Sequence, residues 1–212
     1  MKIIEIKELG INDIKVIKFA RFTDHRGYFT ETFRKSDLSS NIATGFLKDM
    51  DFKQYNESFS REGTIRGLHF QWSPFMDKLV RTIQGEMVDI FLDIRKGSPT
   101  FGKAAMYNMP TNEINNFSEW IWIPRGFAHG NYFKTNTIIE YFCSGEYSQN
   151  NEAAISPLAK DIDWSLCDKK LKSEFDNIAK TTKFISLKDK NAYSFNDWIS
   201  DKRSDNFIYK KD

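Results

Sequence analysis

Between Phe52 and about Phe142 the chain is built from short apolar runs of period two, each cut off by Gly, Pro or Asn. Alternation of that kind gives an extended strand one face for a core and another for a different environment. Met87 to Ile94 is the clearest case, with Val88, Ile90, Leu92 and Ile94 on one face. It stops at Arg95-Lys96-Gly97-Ser98-Pro99, a turn with Gly and Pro at breaker positions. Ile138 to Cys143 is a second strand, with Ile139, Tyr141 and Cys143 on one side. Many short strands at close spacing fit a mainly β fold, a sandwich or jelly-roll barrel, better than a βαβ sheet. The 19 Phe, 8 Tyr and 5 Trp lean the same way, because aromatics favour pleated surfaces.

Outside that region Val16 to Phe22 and Tyr28 to Phe33 read as strands around the turn Asp24-His25-Arg26-Gly27. Lys35 to Lys48 is the helical candidate of the first half, weakened by Gly45 and paired serines. After Ser156 the chain becomes polar and mixed, with short helices expected near Pro157 to Asp163 and Leu166 to Ala179. The tail from Asp201 to Asp212 is charged and expected to be partly loose. There is no internal repeat. The 212 residues suffice for one domain, a core of about 14–150 with a C-terminal extension over 151–212.

Composition narrows the partners. Thirty-one basic and 29 acidic side chains leave a net charge of +2, too weak a field to make nucleic acid or an anionic membrane the main partner. No apolar run approaches a transmembrane length, and the first residues, MKIIEIKELG, lack an apolar signal core. Cys143 and Cys167 show neither metal nor redox spacing, which fits a reducing cytoplasm.

Chemistry then has few places to sit. The histidines are His25, His69 and His129, with no His-x-His pair, so metal catalysis is the weaker reading. Neither a phosphate-cradling glycine loop nor a G-x-S-x-G elbow is present. What remains is acid–base chemistry, and suitable groups concentrate in two segments. One is Gly63 to Gln71 with Lys78-Leu79-Val80-Arg81 after it; the other is Trp120 to Gly130. Each has a bland reading. A strand histidine is more often structural, Lys78 alone is a surface charge, and Tyr141 alone is an aromatic packed in a barrel. The residues by themselves support a β-rich domain carrying groups suited to acid–base work.

Five collinear motifs go further. They are Asp24-x-Arg26-Gly27-x-Phe29-x-Glu31, Arg66-Gly67-Leu68-His69-Phe70-Gln71, Lys78-Leu79-Val80-Arg81, Asp93 to Gly102, and Ile123-Pro124-Arg125-Gly126-Phe127-Ala128-His129-Gly130. Together they resemble the dTDP-4-dehydrorhamnose 3,5-epimerase family, from about Phe22 to Tyr147, with an echo at Ile185-Ser186-Leu187-Lys188-Asp189. The resemblance implies a jelly-roll (cupin-type) β-sandwich with short C-terminal helices, usually a homodimer, using neither metal nor organic cofactor. It implies inversion at C3, C5 or both of a nucleotide-linked 4-keto-6-deoxy sugar.

Roles carry over position by position. His69 matches the base, Asp189 the carboxylate that orients it, Lys78 the cation that stabilises the enolate oxygen, and Tyr141 the opposite-face proton donor. Arg66 and Arg26 resemble pyrophosphate contacts. Glu31, Gln54, Tyr55, Asn56, His129, Glu152 and Lys188 align with further nucleotide or sugar contacts. Strict alternation would put Arg66 and His69 on opposite faces, so both can line one cavity only if Gly67 sits at a bulge. The chain departs from the family pattern at Glu140 and Phe142 around the tyrosine, and at Asn131, where an aromatic is frequent. Three alternatives therefore stay open: a sugar-nucleotide 3,4-ketoisomerase, the same epimerisation on a GDP-linked 4-keto heptose, and a non-catalytic carbohydrate-binding jelly roll.

Overall fold

The computed structural model describes residues 1–11, 13–111 and 115–210. Its strands are β1 (Ile3–Glu8), β2 (Lys15–Ala20), β3 (Phe22–Asp24), β4 (Gly27–Phe29), β5 (Gln54–Ser60), β6 (Ile65–Gln71), β7 (Lys78–Gln84), β8 (Glu86–Asp93), β9 (Ala104–Pro110), β10 (Phe117–Ile123), β11 (Phe127–Phe133), β12 (Thr137–Cys143) and β13 (Glu152–Ala154). The helices are α1 (Lys35–Ser40), α2 (Lys169–Thr181), α3 (Leu187–Lys190) and α4 (Phe195–Ser200), with short 3₁₀ turns between some of them.

Two antiparallel sheets face each other, one in the order β1-β2-β10-β7-β12-β5 and the other β13-β6-β11-β8-β9. From β5 to β8 and again from β9 to β13 each strand crosses to the opposite sheet, the winding of a jelly roll. β3 and β4 form a separate hairpin. Among the described residues no helix is long and apolar enough to cross a membrane.

Apolar side chains occupy three layers. Val16, Val80, Met87, Phe91, Ile121, Phe127, Phe133 and Ile139 fill the space between the sheets. Val88, Ile90, Leu92 and Ile94, the face marked by alternation, point outward from the second sheet and pack under Phe175, Phe195, Trp198 and Phe207 of the C-terminal extension. Ile17, Phe19, Leu79, Trp120 and Trp122 back the first sheet under Leu38 and Leu47. Both faces of β8 are thus buried, and the extension is the second wall of the core. Phe175 of α2 lies 5.7 Å from the rings of Tyr132 and Trp164.

Several local expectations change. Pro157 to Asp163 is not a helix, because its flanks bond to strands and loops: Ser156 N–H donates to Tyr193, and Asp163 exchanges hydrogen bonds with Gly102 and Ala104. The helix expected from Leu166 starts at Lys169, where the Asp168 carboxylate accepts from the Lys170 and Leu171 N–H groups as N-cap. Lys35 to Lys48 breaks at Asn41 into α1 and a 3₁₀ turn, Ile42–Leu47. The strand expected to reach Phe33 ends at Phe29. The tail is fixed up to Lys210: Phe207 is buried, and Tyr209 N–H donates to Lys96. Lys211 and Asp212 lie outside the described residues.

Candidate active site

β6 carries the decisive irregularity. His69 pairs with His129, but Arg66 pairs with Asn131, so β6 spends three steps where β11 spends two. The extra residue is accommodated at Gly67, whose φ of +108° suits glycine. A Cβ there would lie 2.5 Å from Gly130 Cα and 2.7 Å from the His129 oxygen, so the two strands approach closely. The bulge returns Arg66 and His69 to one face, as the motif requires.

The cavity between the sheets has two lobes of about 260 and 250 Å³. His69, Lys78, His129 and Tyr141 line both. Gln54, Asn56, Gln71, Cys143, Tyr147 and Glu152 belong to the first lobe; Ser58, Arg66, Asn131, Ile139 and Asp189 belong to the second.

Asp189 arrives from far along the chain. Phe184 and Ile185 bond alongside Ile65, and Ser186 caps the single turn of α3 by accepting from Asp189 N–H at 3.0 Å. That docking puts Asp189 Oδ1 2.7 Å from His69 Nε2, with the Gly67 N–H 3.4 Å from the other oxygen. A carboxylate only accepts, so Nε2 carries the hydrogen and Nδ1 is the basic nitrogen. Burial alone would raise the Asp189 carboxyl, but the His69 hydrogen bond and charge, with the Gly67 and Ser186 contacts, outweigh it and hold the group below its usual value.

Lys78 and Tyr141 come from the other sheet. Buried Asp77 accepts from Arg125 N–H at 2.9 Å and from Ser144 Oγ at 2.7 Å, pinning the start of β7 to the β10–β11 turn and the end of β12. Burial lowers the Lys78 ammonium, opposed by the charges of Cys143, Asp89 and Glu152. Burial, helped by Cys143 and opposed by Arg66, raises the Tyr141 phenol and keeps it protonated near neutral pH. His69 therefore stands on one wall and Tyr141 on the other.

A second histidine–carboxylate pair lies behind them. His129 Nε2 donates to Asp89 Oδ1 at 2.7 Å, and Asn131 Nδ2 donates to the same oxygen at 2.5 Å. Burial lowers His129, with Asp89 opposing and the charges of Lys78 and His69 adding to it.

At the rim Glu152 accepts from Lys188 at 2.5 Å and from the Tyr147 hydroxyl at 2.7 Å. Gln54 Oε1 accepts from Tyr147 N–H at 2.9 Å, and Gln54 Nε2 donates to Asn56 at 3.0 Å. Arg66 is exposed and anchored by Ser60 Oγ at 2.9 Å.

Three expected contacts are not brought in. Tyr55 lies on the opposite face of β5 from Gln54 and Asn56, its ring centroid 4.5 Å from that of Phe142. Arg26 sits on the β3–β4 hairpin, paired with Asp24 at 2.7 Å and open to solvent. Glu31 bonds Arg34 and the Met1 amine. Missed by the sequence reading were Asp77, Asp89 and Tyr147. Nothing in their neighbourhoods separates an inward acid or a rim aromatic from a surface one.

Similarity to known proteins agrees with this geometry. The family model described as dTDP-4-dehydrorhamnose 3,5-epimerase matches residues 8–197. The chain belongs to this family. Its relatives include an enzyme of that name from Pseudomonas aeruginosa, 34% identical over 177 residues covering 81% of this chain and 92% of the relative. One from Neisseria gonorrhoeae is 38% identical over 180 residues, 84% of this chain but only 52% of the relative, so the match spans about half of that protein's length. Among solved structures, the dTDP-6-deoxy-D-glucose-3,5-epimerase of Legionella pneumophila, in complex with dTDP-4-keto-L-rhamnose, superposes with a TM-score of 0.78 at 29% identity, covering 98% of this chain and 99% of that one. The dTDP-4-dehydrorhamnose 3,5-epimerase of Sulfolobus tokodaii gives 0.70 at 34% identity, covering 92% and 97%.

Proposed function

We propose that this family member is a nucleotide-sugar epimerase that inverts C3 and C5 of a dTDP-linked 4-keto-6-deoxyhexose. The observation carrying the proposal is the placement of His69 and Tyr141 on opposite walls of one cavity, with Lys78 lining both lobes.

A C–H beside a ketone becomes acidic when the enolate oxygen is stabilised, and the Lys78 ammonium on the cavity wall supplies that charge. His69 Nδ1 removes the proton while Asp189 holds the ring and balances the imidazolium. Inversion needs a proton from the other face, since return from His69 would restore the starting sugar; the protonated Tyr141 phenol delivers it. Arg66 takes the pyrophosphate charge, and the half-exposed Tyr147 ring at the mouth, fixed by Glu152, offers a face for the base.

A second copy of the chain completes the site. The β3–β4 hairpin exposes Phe22, Tyr28 and Phe29 beside Arg26, and Arg26 reaches pyrophosphate only in a partner's cavity. The two unpaired cysteines suit a reducing cytoplasm.

The test is turnover of dTDP-4-keto-6-deoxyglucose in D₂O, followed by NMR at C3 and C5. Epimerisation gives deuterium at both carbons with inverted configuration; a shifted ketone would show a ketoisomerase, and no exchange a binding module. Tyr141→Phe should keep exchange on the His69 side while inversion falls by about 10²–10⁴-fold.

A further inference from the structure

Asn131 holds an unusual position on the inner wall. It is 5% exposed, lies on β11 two residues after His129, and lines the second lobe. Its carboxamide cannot be turned around. Asp89 accepts only, so Nδ2 must face Asp89 Oδ1, 2.5 Å away, with Met87 Sδ 3.3 Å from the same nitrogen. The carbonyl end is left over: among the described residues nothing donates to Asn131 Oδ1. Across the lobe Ser58, paired with Ile139 in the neighbouring sheet, also makes no side-chain hydrogen bond among the described residues. Val80 and Ile139 complete this part of the wall. A locked acceptor on the wall of this lobe with no protein donor suits a donor on the ligand, since covering it without one costs free energy.

We infer that Asn131 is a specificity-determining residue whose Oδ1 accepts a hydrogen bond from the C2 hydroxyl of the keto sugar. The inference rests on the epimerase reading above. A 4-keto-6-deoxyhexose has ring hydroxyls at C2 and C3 only. C3 lies next to the ketone and changes hand during the reaction, so its hydroxyl changes place. C2 is never deprotonated, and a contact there persists through proton removal and return. An acceptor held rigid by Asp89 suits a group that does not move.

The experiment is a two-by-two comparison: dTDP-4-keto-6-deoxyglucose and its 2-deoxy analogue, each with wild type and Asn131→Leu, scored as kcat/KM for deuterium uptake. Removing the hydroxyl should cost wild type about 10- to 100-fold, by leaving the acceptor unpaired. Asn131→Leu should lose a similar factor on the hydroxylated sugar and little more on the 2-deoxy one. Equal losses for wild type and variant on removing the hydroxyl would overturn the contact and leave Asn131 acting through Asp89 alone. If Asn131→Leu does not fold, Asn131→Ala carries the same expectation. If wild type exchanges neither sugar, the epimerase reading falls, and this contact with it.

Discussion

At the residue scale the site depends on which groups are kept charged and which neutral. His129 is the clearest case. Its folded pKa lies below the reference value of 6.5, because burial and the nearby Lys78 and His69 outweigh the attraction of Asp89. The unfolded chain therefore takes up a proton first as pH falls, so stability is full above about 6.5 and is lost below it. Asp189, held below its reference value of 3.8, loses its contribution only at much lower pH. Melting temperature should thus decline between about pH 7 and 5 in wild type and decline less in His129→Asn. Parallel curves would show that His129 is not the group being titrated. The same residue-level reading explains what the sequence concealed. Asp77 and Asp89 look like any other acids in a charged chain, and only burial and their partners mark them as supports of the site.

At the element scale the β6 bulge is the feature on which the cavity turns. Gly67→Ala would place a methyl 2.5 Å from Gly130 Cα on a backbone that L-residues rarely adopt. The variant should melt lower, with a cost of about 1–3 kcal/mol or more, and lose activity because Arg66 and His69 no longer share a wall. Calorimetry beside the exchange assay checks both. Retained activity at an unchanged melting temperature would refute the role of the bulge. Elements with strong period-two patterns were legible: β8 and β12 lie within a residue or so of expectation. Pro157 to Asp163 was not, because its hydrogen bonds go to partners distant in sequence, which no local pattern reports. The Tyr55 assignment came from the family resemblance. Alternation along β5 puts Tyr55 opposite Gln54 and Asn56, and the structure follows the alternation.

At the scale of the whole molecule the C-terminal extension buries the outer face of one sheet and supplies Asp189, so the core and the His69–Asp189 pair depend on the same segment. The proposed site also draws on a second copy. If Arg26 acts in the partner's cavity, His69→Ala and Arg26→Ala proteins, each impaired alone, should regain activity when mixed and allowed to exchange subunits, because some mixed dimers carry one intact site. No recovery, with exchange shown by a tagged subunit, would rule out the shared site. Proton transfer by His69 remains the claim beneath all of this. It is tested most directly by His69→Ala, folded as judged by its melting curve, incubated in D₂O with dTDP-4-keto-6-deoxyglucose while the C3 and C5 protons are followed. Deuterium uptake at both carbons should fall by about 10²–10⁴-fold. Uptake at the wild-type rate would contradict the account.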